Sequence, residues 1–286
     1  MIDFYLKMRY NIVMEKDTIK ITKQTTVLEA LTEYGFSYNY ANKMLRNKDV
    51  RLFGEKIKDN LPLASGDEIT FFYTQDAINK IEKYETIYQD ENIIVVNKFA
   101  GIEVEGELEK LFSSTAVHRL DRNTTGLVVL AKNKLTQDAL LNAFKSHSIE
   151  KKYLAEVVGK TNYKNYTFKA FLLKDAKASL VKIFDKKVKG SVEVTTIFNT
   201  ISSNPSSSIV ECTLITGKTH QIRASLAFLG HAIIGDGKYG KNEDNKKFKE
   251  KHQKLHSYIL TFKQLKSPLE YLNDKSFKCK PNWKNK

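Results

Sequence analysis

The stretch His118-Arg-Leu-Asp-Arg-Asn-Thr-Thr-Gly126 places one carboxylate, Asp121, between two arginines, Arg119 and Arg122. The apolar run Leu127-Val-Val-Leu-Ala131 follows at once. A polar turn feeding a strand is a common seat for chemistry, because a rigid scaffold holds the loop. An aspartate paired with a guanidinium keeps a low pKa and stays ionised at neutral pH. In that form it is a nucleophile or a charge stabiliser rather than a general acid. A solvated loop with a local ion pair is the plainer reading of the same residues.

A second polar group lies at Ile215-Thr-Gly-Lys-Thr-His-Gln-Ile-Arg223. It contains Gly-Lys-Thr, but a phosphate-cradling P-loop needs a glycine five positions before Gly217, and Cys212 stands there. Nucleotide hydrolysis is therefore rejected. Arg223 falls on a helix expected over 219–228, and if the two loops meet it can pair with Asp121. Between them Tyr153 opens a strand, offering a flat face for a base and a phenol for proton handling. A packed strand tyrosine is the commoner case. His252 and His256 have the spacing of a zinc-protease pair, but Gln253 occupies the place of the required glutamate. His256 also begins a strand, so no metal site is expected.

These residues need elements to position them. A strand is expected over 93–96, another over 127–131, and a helix over 135–145 with Asn133 or Thr136 as its cap. Further strands are expected over 152–159, 192–198, 209–215 and 256–262. Ser202–Ser208 reads as a loop, and 240–251 as an exposed loop or short helix. Strands dominate and helices come singly, which points to an α+β fold with a mixed, mostly antiparallel sheet. The first seventy-odd residues form a separate pattern. Thr26 caps a helix over 27–34 that Gly35 ends. A second helix, 38–48, carries Lys43, Arg46 and Lys48, and short strands follow at 50–53, 56–58 and 68–73.

The 286 residues are 41% hydrophobic, enough for a large core, and the net charge is +14. Such a surface attracts polyanions, nucleic acid before membrane. The two cysteines, Cys212 and Cys279, make neither a disulfide framework nor a zinc motif. With no signal-like N-terminus and no membrane-length apolar window, a soluble, cytoplasmic protein is expected, with a monomer as the default state.

Residues 16–73 resemble an S4 domain, a small RNA-binding module. The resemblance rests on the Ala41–Arg46 helix, the Val50-Arg-Leu-Phe-Gly-Glu-Lys-Ile57 strand-turn-strand and the closing Leu63-Ala-Ser-Gly-Asp-Glu-Ile-Thr70. Lys43, Arg46, Lys48 and Arg51 would then face phosphates without reading sequence. Expected boundaries are 1–75 for this module, 76–86 for a linker and 87–286 for a catalytic domain.

The larger part is similar to the RluA-type pseudouridine synthases. His118–Lys132 resembles the family's catalytic motif. Asp90–Gly101, Lys152–Val157, Leu214–Arg223, Gly235–Tyr239 and Leu255-His256 resemble its other landmarks in order. The resemblance implies isomerisation of uridine to pseudouridine in RNA, with no metal or cofactor. The uracil leaves at N1, turns, and rejoins the ribose through C5. It further implies Asp121 as the essential carboxylate, Tyr153 as the residue that stacks on the flipped base and takes up the C5 proton, and Arg223 as the partner of Asp121. Arg119 would hold the RNA, and Arg122, Lys98, Lys218 and His220 would add RNA contacts. An S4 module points to the ribosomal large-subunit members, of the RluC or RluD kind, and so to 23S rRNA. A tRNA target and a non-catalytic ribosome-assembly factor are the alternatives. Asn123, Thr125, Lys218 and Phe99 depart mildly from the family pattern.

Overall fold

The computed structural model describes residues 14–36, 38–74, 84–175 and 178–283. The chain divides into two compact units, 1–82 and 83–286. The expected linker over 76–86 lies mostly outside the described residues, and its last three positions already belong to a strand.

In the first unit, strands β1 (Met14–Lys20), β2 (Val50–Leu52), β3 (Glu55–Ile57) and β4 (Glu68–Thr74) form a sheet in the order β1-β4-β2-β3. Helices α1 (Val27–Tyr34) and α2 (Tyr38–Arg46) accompany it. Thr26 caps α1 as its sequence promised: the Thr26 hydroxyl accepts from the Glu29 N–H, and Glu29 reaches back to the Thr26 N–H. Such a reciprocal cap stabilises a helix by about 1 kcal/mol. Val27, Leu31, Ala41 and Met44 meet Ile69 and Phe71 of β4 in one core.

The second unit is built on an eleven-stranded sheet. Its strands include β5 (Tyr84–Gln89), β6 (Ile93–Lys98), β7 (Thr125–Ala131), β8 (Ile149–Val158), β9 (Tyr166–Asp175), β10 (Leu180–Phe184), β11 (Val192–Ser203), β12 (Ser207–Leu214) and β13 (Leu255–Phe262). The order is β10-β9-β11-β12-β8-β13-β7-β6-β5. Every pair on this path is antiparallel except β7 with β13, which run parallel through Thr125–His256 and Gly126–Ser257. The expectation of a mixed, mostly antiparallel sheet therefore holds. Strands β9 and β10 were not read from the sequence.

Both faces of the central strands are covered, which is why Ile93–Val96 and Leu127–Ala131 are continuous apolar runs rather than alternations. Ile94, Val96, Val128 and Leu130 feed one core layer together with Tyr153, Ala155, Phe198 and Ile222. Ile93, Val95, Leu127 and Val129 feed the other, with Leu140, Leu260 and Phe262. Helix α3 (Lys134–Lys145), capped by Asn133, covers the second layer. Helix α4 (Gln221–Phe228) covers the first and starts two residues later than expected. Of the two readings of 240–251, loop or short helix, the helix is the one found, as α5 (Asn242–Phe248). Among the described residues no helix is long and apolar enough to cross a membrane, and no cluster could hold a metal ion.

Candidate active site

Asp121 sits in the turn leading into β7, with the Thr124 N–H donating to its carbonyl at 2.9 Å. Three anchors hold that turn. The buried Gln253 amide donates to Thr124 Oγ1 at 2.5 Å. The Thr125 hydroxyl meets His256 Nδ1 at 2.8 Å, while His256 Nε2 lies 3.0 Å from the Cys279 carbonyl. Because that carbonyl only accepts, Nε2 carries the proton and Nδ1 accepts from Thr125. Burial pushes His256 down to about 4, keeping it neutral. The histidine pair that suggested zinc is thus divided: His256 serves the fold.

The third anchor is Lys98. Its side chain is 0% exposed, and Nζ donates to the carbonyls of Phe99, Ile102 and Arg122 at 3.0, 2.9 and 2.9 Å. Burial lowers its pKa to about 8, against the opposing pull of Asp121. The expectation that Lys98 contacts RNA is therefore corrected. Its ammonium is spent on backbone carbonyls, clasping the 99–102 turn to the Asp121 loop. Arg122 strengthens the same clasp through Nε to the Gly101 carbonyl at 3.0 Å, and the Gly101 N–H returns a bond to the Arg122 carbonyl at 2.9 Å.

The two polar groups separated in sequence do meet. Arg223 Nη1 donates to Asp121 Oδ2 at 2.6 Å. The other edge of the guanidinium grips a second carboxylate, Asp236, through Nε at 2.7 Å and Nη2 at 2.9 Å. Arg223 and Asp236 are 5% and 0% exposed, so this is a buried, bidentate pair that fixes the guanidinium plane. Burial alone would raise Asp236. The Arg223 hydrogen bonds and the N–H groups of Lys238 and Tyr239 outweigh it and hold the carboxyl below its ordinary 3.8. For Arg223 burial is likewise overcome, by the two carboxylates. Asp236 was not singled out as a site residue from the sequence, although Gly235–Tyr239 was noted as a landmark.

Tyr239 completes the arrangement. Its oxygen accepts the Val181 N–H at 2.9 Å and lies 2.9 Å from His220 Nδ1. The guanidinium carbon of Arg223 lies 5.2 Å from its ring centroid. With the phenol donating to Nδ1, His220 keeps its proton on Nε2, which lies 3.7 Å from Asp121 Oδ2. Burial lowers the His220 pKa, Asp121 resists, and Arg223 and Lys238 add to the lowering. His220 is a left-handed residue, φ 53° and ψ 17°, at the head of α4 and supplies no side-chain cap. Gln221 orders the preceding turn instead. Its Oε1 accepts from Thr216 Oγ1 and the Lys218 N–H, and its Nε2 donates to Thr195 O and Thr196 Oγ1.

Tyr153 reaches the same cleft from β8. Against β13 the register shifts between Lys152 and Tyr153, with Tyr258 of β13 as the extra residue, while β8 itself alternates without interruption. The ring is 6% exposed. Burial first, and the Asp121 charge in addition, push its phenol above the ordinary range, so it enters the cleft uncharged. His118 is also neutral rather than cationic. Its Nε2 accepts the Val129 N–H at 3.0 Å, and burial with nearby Lys151 pushes it down to about 3. It fills the gap on the edge of β7 away from β6, between the short pairings with β13 and with Thr115-Ala116.

The cleft these residues line has a volume of about 500 Å³ and includes Asp121, Tyr153, Lys218, His220 and Arg223. Arg119 and Lys218 are exposed on its rim, and Arg119 pairs with Glu105 at 3.2 Å. In the first unit Lys43, Arg46 and Lys48 are exposed, while Arg51 is turned onto the Phe72 ring, 5.2 Å from its centroid.

A model of the RNA pseudouridylate synthase family matches residues 92–228. An RNA pseudouridine synthase of Mycoplasma capricolum is 31% identical, across 84% of this chain and 88% of its own length. The ribosomal large subunit pseudouridine synthase C of Rickettsia bellii is 33% identical, across 70% of this chain and 77% of its own. The mitochondrial tRNA pseudouridine(32) synthase of Saccharomyces cerevisiae is 30% identical, across 71% of this chain but only 47% of its own. With those likenesses beside a cleft that holds an arginine-paired aspartate and a buried tyrosine, the chain belongs to the RNA pseudouridylate synthase family and is an RNA pseudouridine synthase, an isomerase.

Proposed function

We propose that the enzyme isomerises specific uridines to pseudouridine in large-subunit (23S) rRNA, with Asp121 as its essential carboxylate. The observation that carries the assignment is the Asp121–Arg223–Asp236 chain at the cleft wall. One guanidinium, gripped from behind, presents a single carboxylate whose second oxygen has no hydrogen-bond partner among the described residues. A carboxylate fixed this way can approach C1′ or C6 of a nucleotide without losing its orientation. The target base must leave its stack to reach it. Tyr153 supplies a flat, neutral surface for the extruded uracil, and aromatic stacking of this kind offsets about 1–3 kcal/mol of the extrusion cost. In the isomerisation the N1–C1′ bond breaks, C5 bonds to C1′, C5 loses its proton and N1 gains one.

RNA holding is assigned to Arg119 and Lys218 at the cleft rim, and to Lys43, Arg46, Lys48 and Arg51 of an S4-like first unit. The rRNA target is supported by the likeness to the Rickettsia bellii synthase and by the S4-like pattern. The test is pseudouridine mapping of total RNA from cells with and without the gene, complemented by wild type or by Asp121→Asn. Loss of large-subunit rRNA signals that only wild type restores is expected. Loss confined to tRNA would transfer the substrate to that class, and an active Asp121→Asn enzyme would overturn the catalytic assignment.

A further inference from the structure

Strand β8 sends Ile149, Lys151, Tyr153, Ala155 and Val157 to one face and Glu150, Lys152, Leu154 and Glu156 to the other. Four of the five positions on the first face are apolar or aromatic, and all four are buried. The fifth is a lysine. Its neighbour Lys152, on the opposite face, has a plain reason to be basic: Nζ pairs with Glu211 of β12 at 3.2 Å. Lys151 has no such partner. No hydrogen bond or ion pair joins its Nζ to another described residue. Its ammonium lies 5.8 Å from the Phe144 ring centroid. It also rests against Gly217, where an added methyl group would come within 3.2 Å of Nζ. Burial is the sole cause that lowers its pKa, and no carboxylate pulls the other way.

The surroundings deepen the imbalance. Arg119, Lys145, Lys151, Lys218 and Arg223 line the cleft, against one carboxylate, Asp121, which Arg223 already engages. A largely buried ammonium with no counter-charge is costly to keep, and an anionic ligand removes that cost. Lys151 and Tyr153 stand two residues apart on one face of the strand, about 7 Å along it. A base and its own phosphate are likewise separated by one ribose. We propose that Lys151 binds the backbone phosphate of the nucleotide whose base is presented to Asp121, so that the cleft has a phosphate subsite beside its base site. The proposal rests on the reading of Asp121 and Tyr153 as the residues that handle the base.

The test uses the full-length enzyme with Lys151→Met, Lys151→Arg and Asp121→Asn, acting on total RNA from cells lacking the gene. Methionine keeps the length and apolar stem while removing the charge, and thermal unfolding checks that the variant folds. Pseudouridine formation is followed at subsaturating and saturating RNA over a range of salt. Lys151→Met should lose at least tenfold at subsaturating RNA, equivalent to about 1.4 kcal/mol, mostly in KM. Its logarithmic dependence on salt should flatten by about 0.7–0.9, the share of one phosphate. Lys151→Arg should recover most of both. An unchanged rate and slope in Lys151→Met would overturn the subsite, as would a lost rate with an unchanged slope. Activity in Asp121→Asn would instead overturn the base-site reading, and the salt slope of Lys151→Met would still report on the phosphate.

Discussion

Asp236→Asn tests the Arg223 anchor with a nearly isosteric change. In the wild type Asp236 Oδ1 accepts from Arg223 Nη2 at 2.9 Å, the Lys238 N–H at 2.9 Å and the Tyr239 N–H at 3.1 Å. Oδ2 accepts from Arg223 Nε at 2.7 Å. An asparagine oxygen can take over the three-bond position, which leaves the amide nitrogen facing the Nε–H. Two donors then oppose each other in a site where both side chains are almost fully buried. Breaking a buried ion pair from one side costs about 3–5 kcal/mol, which for a unit of this size lowers Tm by about 6–20 °C. The pH dependence follows from the lowered Asp236 pKa. A carboxyl whose folded pKa lies below its unfolded value contributes stability above the unfolded value and loses it as pH falls through the folded one. The Tm gap between wild type and variant should be flat from about pH 5 to 8 and close below about pH 4. Turnover per folded molecule should drop on the order of 100-fold, because a guanidinium released by about 1 Å no longer fixes Asp121. Calorimetry across pH and single-turnover pseudouridine formation are the assays. A variant with wild-type Tm, or one that is destabilised yet turns over normally per folded molecule, would refute the idea that Asp236 holds Arg223 for Asp121.

Lys98→Met should strand three carbonyls and cost at least about 2 kcal/mol, read as a lower denaturant midpoint with unchanged slope. Modification should fall further than the folded fraction explains, while an unchanged midpoint would remove Lys98 as the clasp of the Asp121 loop. Gly126→Ala should cost about 3 kcal/mol or more, because φ is +107° and the new methyl would lie 2.3 Å from the Ser257 carbonyl oxygen. Solubility and thermal unfolding report it, and a Tm within 2 °C or so of wild type would show that β7 and β13 can separate freely. Neutralising Lys43, Arg46 and Lys48 together should weaken RNA binding and flatten its salt dependence by about 2, with thermal stability preserved since all three are exposed. An unchanged slope in a filter-binding assay would leave the phosphate contacts to the second unit.

The sequence was most informative where local rules act alone. Thr26 marks a helix start as its cap, and Asn133 caps α3 by accepting the Thr136 N–H. The Asp121–Arg223 pair was legible because a lone carboxylate among arginines needs a partner. Asp236 was harder to find: thirteen residues separate it from Arg223 with a tight turn between, and only the fold shows that they face. Lys98 was misread for a related reason. A lysine ending a strand is usually solvated, and nothing local announces three carbonyls converging on it. Strand β9 passed unread although Phe168, Ala170 and Leu172 alternate inward with Lys169 and Phe171 between them. Its charges are the outward half of the alternation, yet they resemble a solvated segment when taken one at a time.

The one parallel pairing among the described strands of this sheet bears on how the enzyme is made. Thr125 and His256 are neighbours in space but 131 positions apart in the chain, and Thr124 with Gln253 is separated by 129. Contacts across so long a loop carry a large closure entropy and form late. Strands β8 to β12 pair almost wholly with their neighbours in the intervening segment and can assemble first. The loop bearing Asp121 is translated before that segment; Lys98 can clasp it early, but the anchors from Gln253 and His256 come only with β13. A nascent chain therefore carries Asp121 for most of its length before Arg223, Gln253 and His256 are available to order it. The ordering of this loop is completed late in folding, as β13 closes against it.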